Sequence, residues 1–229
     1  MSQAAQRATS AEGALFAGLD RDTAAILLDA ATPRRFTEGV TLFHQGDAPN
    51  QLFQIATGLV KMTRVNPEGG QTALGFMGAG DLVGCVAVFR QFPFPATAIA
   101  SRDTTALCWG SPQILDLLRR YPAIAGNALN AVGDRTREMV DRLSEMTDKG
   151  IEARVAGALL RLIGQVGRPG PAGIEIAKPV TRKDIAEMTN VNYFTVSRIL
   201  GNWQREGLVR LGRVRIVVVD PRRLARIAA

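Results

Sequence analysis

The sequence predicts an α+β chain in three parts: an N-terminal antiparallel β-roll, a long helix and a C-terminal winged helix-turn-helix. Three observations predict it. From about 36 to 110, short apolar runs are broken every several residues by Gly, Pro, Asn and Asp, as in an antiparallel sandwich or roll. From 112 to 147 the apolar residues instead take a helical spacing. The positive charge is concentrated at one end: residues 151–229 hold 14 basic and 6 acidic side chains, whereas 1–150 hold 14 and 15. The predicted parts are 1–111, 112–149 and 150–229.

Composition narrows the class. The chain has 229 residues, 46% hydrophobic and 21% charged, which is a globular balance. A chain of this length buries enough surface to need no disulfides. No uncharged apolar run approaches the roughly 18 residues of a membrane span. The opening MSQAAQRATSAEG is polar, so no secretory signal is expected, and a cytoplasmic location is. Cys85, Cys108 and His44 are too few for a four-cysteine cluster within one chain and poorly suited to structural zinc. With no nucleophile–base pair in view, an enzyme is not expected.

The elements follow in order. Residues 12–31 carry Leu15, Leu19, Ile26, Leu27 and Ala30 and read as one or two short helices. Strands are expected at VTLF (40–43), LFQIATGLVKMTRV (52–65) and QTALGFM (71–77), separated by QGDAPN, NPEGG and GAGD. Val60 and Met62 alternate with Lys61 and Thr63, the period of a half-buried strand. Cys108, in TTALCWG, reads as core. In the long helix Val132, Thr136, Met139, Leu143 and Met146 are spaced four, three, four and three. That seam is narrower than a core-facing stripe, which favours pairing with a second copy over packing on its own roll. Gly150 follows as a candidate hinge. Residues 151–166 form another helix, with Ile151, Val155, Ala158, Leu159, Leu162, Ile163 and Val166 on one side, and GRPGPAG (167–173) is an exposed loop.

The segment 181–203 carries the functional signal. Thr181 and Asp184 form a capping box that opens a helix at Arg182. Ala186 is the small residue at a helix crossing, and Asn190 tolerates the positive φ of a turn. Ile185, Val191, Val196 and Ile199 fix a second helix over about 192–204. Asn192, Tyr193, Phe194, Thr195, Ser197, Arg198 and Asn202 are left off the core, where they would face a major groove. Arg198 suits guanine and Asn192 adenine by paired hydrogen bonds; Phe194 or Thr195 would meet a thymine methyl. LVRLGRVRIVVVD (208–220) reads as two strands around Gly212 and Arg213, a wing whose Arg210, Arg213 and Arg215 would contact phosphates. Together these predict a protein for double-stranded DNA, against the plainer reading of a helical hairpin with a solvated basic face.

The order of roll, long helix and winged helix-turn-helix resembles the CRP/FNR family of bacterial transcription regulators over about 30–220. The resemblance rests on Leu42-Phe-His-Gln-Gly-Asp47, Gly58, Gly80-Asp-Leu-Val-Gly84, Arg154 and the stretch T-R-x-x-I-A…T-V-S-R-I-L from Thr181. It implies a cyclic-nucleotide-binding-like roll, a homodimer, a near-palindromic site with half-sites about one helical turn apart, and contact with RNA polymerase. The loops 66–70 and 167–173 are candidate surfaces for that contact. It makes His44 a turn residue.

Departures from the family are equally informative. Cyclic-AMP-binding members carry a Glu after the glycine aligned with Gly84, an Arg-Ser pair later, and a Thr and a Ser on the dimer helix. Here those positions are Cys85, Ala96-Thr97, Met139 and Val140. A buried phosphate without its arginine is an unpaired charge. The resemblance therefore implies a regulator not controlled by cyclic AMP. Its mainly apolar pocket at Gly84, Cys85, Val86, Ala96, Thr97, Met139 and Val140 is either filled by side chains or takes an unknown uncharged or apolar effector. The family's N-terminal cysteine cluster is lacking. Val86 and Ala87 stand where haem-binding members place a His, which leaves haem held by Cys85, or thiol oxidation there, as the alternatives to no cofactor. At the DNA side, Phe194 replaces a Glu that accepts from cytosine, Tyr193 replaces an Arg or other polar residue, and Arg198 keeps the guanine reader.

Overall fold

The computed structural model describes residues 13–148, 150–176, 180–212 and 215–229; the side chains of 141–148 lie outside that description. The chain forms two compact units, one of the residues up to 70 with 77–138, the other of 71–76 with 139–229.

The first unit is an antiparallel roll. A 3-10 turn (Ala14–Phe16) and α1 (Arg21–Asp29) precede it, and Asp20 caps α1 by accepting from the Thr23 N–H at 2.8 Å. The strands are β1 (Thr32–Phe36), β2 (Thr41–Phe43), β3 (Gln51–Val65), β5 (Leu82–Val83) and β6 (Thr97–Gly110); β4 (Gln71–Met77) falls largely in the second unit's residues. β6 pairs antiparallel with β1, β2 and β3, and β3 also with β5. Not all strands are short: β3 has 15 residues and β6 has 14. Their pairing runs from Gln51↔Gly110 to Thr63↔Thr97 through bulges between Ile55 and Val60. Gly58 sits there at φ 108°, and a Cβ on it would come 2.4 Å from Thr104 Oγ1. The Thr104 hydroxyl accepts from the Leu59 N–H at 3.1 Å, replacing a lost ladder bond. The expected alternation at 60–63 is not kept: Thr63 is buried and Met62 only half-buried, because the bulges rephase the strand.

Two helices interrupt or follow the roll. α2 (Cys85–Arg90) is a short helix inside the segment read as strands. The helical stretch after β6 is two helices, α3 (Ser111–Arg120) and α4 (Pro122–Asp148). Tyr121 between them is extended, as a residue before proline prefers. Asn127 anchors α4 on the roll: its Nδ2 donates to Leu15 O at 2.9 Å and Ala17 O at 2.8 Å. Trp109, fully buried, donates from Nε1 to Leu27 O at 2.9 Å. Cys108 is buried, as expected.

The second unit packs helices on a four-stranded sheet. α5 (Ile151–Val166) buries Val155, Ala158, Leu159, Leu162 and Val166, but Ile151 is exposed. Residues 167–173 are not a free loop: β7 (Gly167–Gly170) and β8 (Gly173–Ile176) form a hairpin. The sheet order β7-β8-β10-β9 makes β7 an edge, where Pro169 costs no ladder bond. β9 (Val209–Gly212) and β10 (Arg215–Val218) are the two strands expected around Gly212. α6 (Arg182–Thr189), α7 (Tyr193–Arg205) and α8 (Pro221–Ala228) complete the unit. α8 is additional to the sequence reading; Asp220 caps it and Leu224 and Ala228 bury it.

Candidate nucleic-acid interface and effector region

The helix-turn-helix is built by its predicted residues. Thr181 Oγ1 accepts from the Asp184 N–H at 3.2 Å, and Asp184 Oδ2 accepts from the Thr181 N–H at 2.7 Å and hydroxyl at 2.8 Å. This satisfies donors otherwise orphaned at the start of α6. Asn190 closes α6 at φ 50°, ψ 45°, the left-handed conformation for which the turn needs Asn or Gly. Ala186, Ile185, Val191, Val196 and Ile199 are all buried.

α7 buries Val196, Ile199, Leu200 and Trp203. Opposite them, at intervals of four, three and four, Phe194, Arg198, Gly201 and Arg205 form an outward stripe. Phe194 is 78% exposed and Tyr193 exposed beside it, their rings 5.7 Å apart and edge to face. Asn192 is the N-cap: its Oδ1 accepts from the Phe194 N–H at 2.8 Å, so that oxygen serves the helix. Thr195, Ser197 and Asn202 are half-buried on the flanks. Among the described residues Ser197 Oγ is buried and meets no hydrogen-bond partner, and Asn202 Oδ1 accepts from Arg205 Nη2 at 2.6 Å. Arg205 and Gly201 escaped the sequence reading; continuing the four-three-four spacing beyond Arg198 would have found both.

A cleft of about 390 Å³ opens at the start of α6, lined by Thr181, Arg182, Lys183, Tyr193 and, from β10, Arg215 and Ile216. Three cations and the N-terminal end of a helix converge there, an arrangement suited to a phosphate. Lys183 was not anticipated. Arg215 also holds Glu175 at 2.7 Å, so part of its charge is already met. Arg210 is exposed on β9. Arg213, predicted at the wing tip, lies outside the described residues.

The roll residues behave differently. His44 is in a turn, its N–H donating to Asp47 Oδ2 at 2.8 Å, with Gly46 at φ 91°. Gly84 has φ 84°, and a Cβ on it would lie 2.8 Å from the Phe94 ring. Phe94 stacks on Phe43 with centroids 3.8 Å apart and planes 17° apart, and Phe43 lies 5.8 Å from Phe53. Ala96 is buried, and Thr97 Oγ1 accepts from the Gln45 N–H at 3.0 Å. Cys85 is half-buried, and burial pushes its thiol above the usual range. Arg135 acts on Cys85 and on the half-buried Asp81, but its guanidinium is tied to Glu138 at 2.7 Å. Val86 is exposed and, with Phe89, Leu118, Ala128, Leu129 and Val132, lines an apolar cleft of about 240 Å³. Among the described residues no group of three His, Cys, Asp or Glu could hold a metal ion, and no helix is long and apolar enough to cross a membrane.

Along α4, Leu129 is 71% exposed and Thr136 exposed; Val132 is half-buried. The Thr136 hydroxyl donates to Val132 O at 2.9 Å, which satisfies it within the helix. Met139 and Val140, counted with the second unit, are 51% and 54% exposed. Leu143 and Met146 lie outside the described side chains.

Comparison with known proteins covers both units. Residues 33–121 match the cyclic nucleotide-binding domain and residues 153–227 the Crp-like helix-turn-helix domain. The chain is 30% identical over 214 residues to the cyclic AMP receptor protein of Thermus thermophilus, covering 93% of this chain and 96% of that protein. It is 26% identical over 216 residues to the CRP-like cAMP-activated global transcriptional regulator of Mycobacterium tuberculosis, covering 94% and 96%. In structure it is similar to FixK2 from Bradyrhizobium japonicum, with a TM-score of 0.77 over 87% of this chain and 98% of that one at 20% identity.

Proposed function

The chain belongs to the CRP/FNR family of DNA-binding transcription regulators, and from that premise we propose that it is a homodimer that reads a near-palindromic DNA site without cyclic AMP. The stripe of Phe194, Arg198, Gly201 and Arg205, held outward on α7 beside the cationic cleft at Thr181, carries the DNA part of this reading. Arg198 supplies the paired donors that distinguish guanine; Arg182, Lys183 and Arg215 anchor phosphates and set the register. The protein acts by binding DNA and catalyses nothing. Whether a site is activated or repressed follows from its position relative to the promoter and from contact with RNA polymerase.

The dimer rests on the apolar side chains that α4 leaves uncovered. Leu129 extends the predicted seam by one position, so Leu129, Val132, Thr136 and Met139 follow a three-four-three spacing, and the first two also border the apolar cleft beside α2. Such a strip is poorly explained as solvated surface. Independence from cyclic AMP, unlike the name of the Mycobacterium tuberculosis relative, is supported by the Phe94–Phe43 stack beside Gly84 and by the buried Ala96 where a phosphate would need its arginine. The raised Cys85 thiol argues against a thiolate sensor.

The test is to select the preferred site from a random duplex pool with purified protein. Binding is then titrated by fluorescence anisotropy at two salt concentrations, with and without cyclic AMP. Salt-dependent binding to a two-fold site, unmoved by the nucleotide, is expected. Arg198→Ala should weaken it by about 5- to 150-fold, the range of one paired base contact, and relax preference at a single base pair. Rescue of an inert protein by cyclic AMP overturns the reading. Rescue by cell extract alone would instead favour an effector-gated regulator, with an apolar ligand, haem or thiol chemistry at Cys85.

A further inference from the structure

We propose that Phe194 reads the 5-methyl group of a pyrimidine, so that each half-site distinguishes thymine and 5-methylcytosine from uracil and cytosine. The inference rests on the DNA-binding reading above and specifies its chemistry. The observation is an aromatic ring left 78% exposed on the outward face of α7, four residues before Arg198. Exposed apolar side chains are common, but this one stands at a held helix start and beside a second ring. Its backbone N–H is held by the Asn192 cap at 2.8 Å, and the Tyr193 ring packs edge-on against it at 5.7 Å. Thr195, the other residue able to meet a methyl group, is turned to the flank and half-buried.

The occupant follows from chemistry and charge. A phenyl ring neither donates nor accepts a conventional hydrogen bond. Set against a carbonyl, an amine or a ring nitrogen in the major groove, it would strip water from a polar group and return nothing. The apolar group that projects there is the pyrimidine 5-methyl, where cytosine and uracil show only a C5–H. Arg198 and Arg205 share the ring's stripe, and residues 151–229 carry an excess of eight positive charges, which favours a polyanion over an apolar protein surface as the partner. Four residues of helix advance about 6 Å, against about 3.4 Å per base step, so the methyl-bearing base lies one or two steps from the guanine read by Arg198.

The experiment scans the selected duplex by replacing each deoxythymidine with deoxyuridine, which removes one methyl group and leaves pairing intact. Wild-type protein should bind about fourfold more weakly at one position per half-site, the worth of one buried methyl group. Where cytosine replaces that thymine, 5-methylation should recover most of the loss. Phe194→Leu should keep the thymine-to-uracil ratio. Phe194→Glu should abolish it and favour C·G there, because a carboxylate accepts from the cytosine amine. Equal binding of thymine and uracil at every position overturns the inference, as does a ratio that persists in Phe194→Glu. Absence of salt-dependent DNA binding by the wild type would instead overturn the reading beneath it.

Discussion

Burial raises both thiols, Cys108 to about 12 and Cys85 above its ordinary range. A thiol that holds its proton more tightly when folded contributes stability fully present below the unfolded value of about 8.5. That contribution is lost as pH rises from there toward about 12 for Cys108. Native protein at pH 8 should therefore react slowly with a dithiobisnitrobenzoate reagent at both cysteines, Cys85 before Cys108, and at the rate of free cysteine in guanidinium. A fast native Cys85 would revive thiol sensing. At the DNA-facing helix the sequence marks which side chains stand off the core, and Arg198 is exposed as that spacing requires. Asn192 reads as an off-core residue suited to adenine; that its Oδ1 caps the helix depends on the backbone just before Tyr193.

The elements differ in what they reveal of themselves. α6 and its turn are written locally, in Thr181, Asp184 and Asn190, and fold as those residues dictate. The β7–β8 hairpin is not: Gly167, Pro169, Gly170 and Gly173 have loop chemistry, and only the neighbouring β10 makes strands of them. α2 and α8, at 6 and 8 residues, are too short to show a helical period. Within α7, Gly201 has ordinary helical geometry, and among the described residues nothing lies within 4 Å of where a Cβ would stand. Gly201→Ala should therefore stabilise the protein, by up to about 1 kcal/mol from helix propensity. Circular dichroism melting would show a rise of a few degrees; a fall would mean that the helix relies on glycine for something other than space.

At the scale of the molecule, residues 1–150 are near neutral and residues 151–229 carry an excess of eight positive charges, so the charge that suits a polyanion lies with the helix-turn-helix. The proposed pairing through α4 makes Leu129→Glu a clean probe, since the side chain is 71% exposed and its loss costs the single chain little. Sedimentation should show a monomer with wild-type circular dichroism, and affinity for the two-fold site should fall toward that of one half-site. A dimer that survives would move the interface elsewhere. The hairpin beside α5 has another consequence. A sheet of four strands has two open borders, and here one is β7, broken by Pro169 and bounded by glycines, while the other is β9, with Arg210 exposed. Neither offers a long, neutral row of free amides and carbonyls to a strand from outside. Copies of the chain brought close together therefore meet no sheet border that invites their strands to fuse into a fibre.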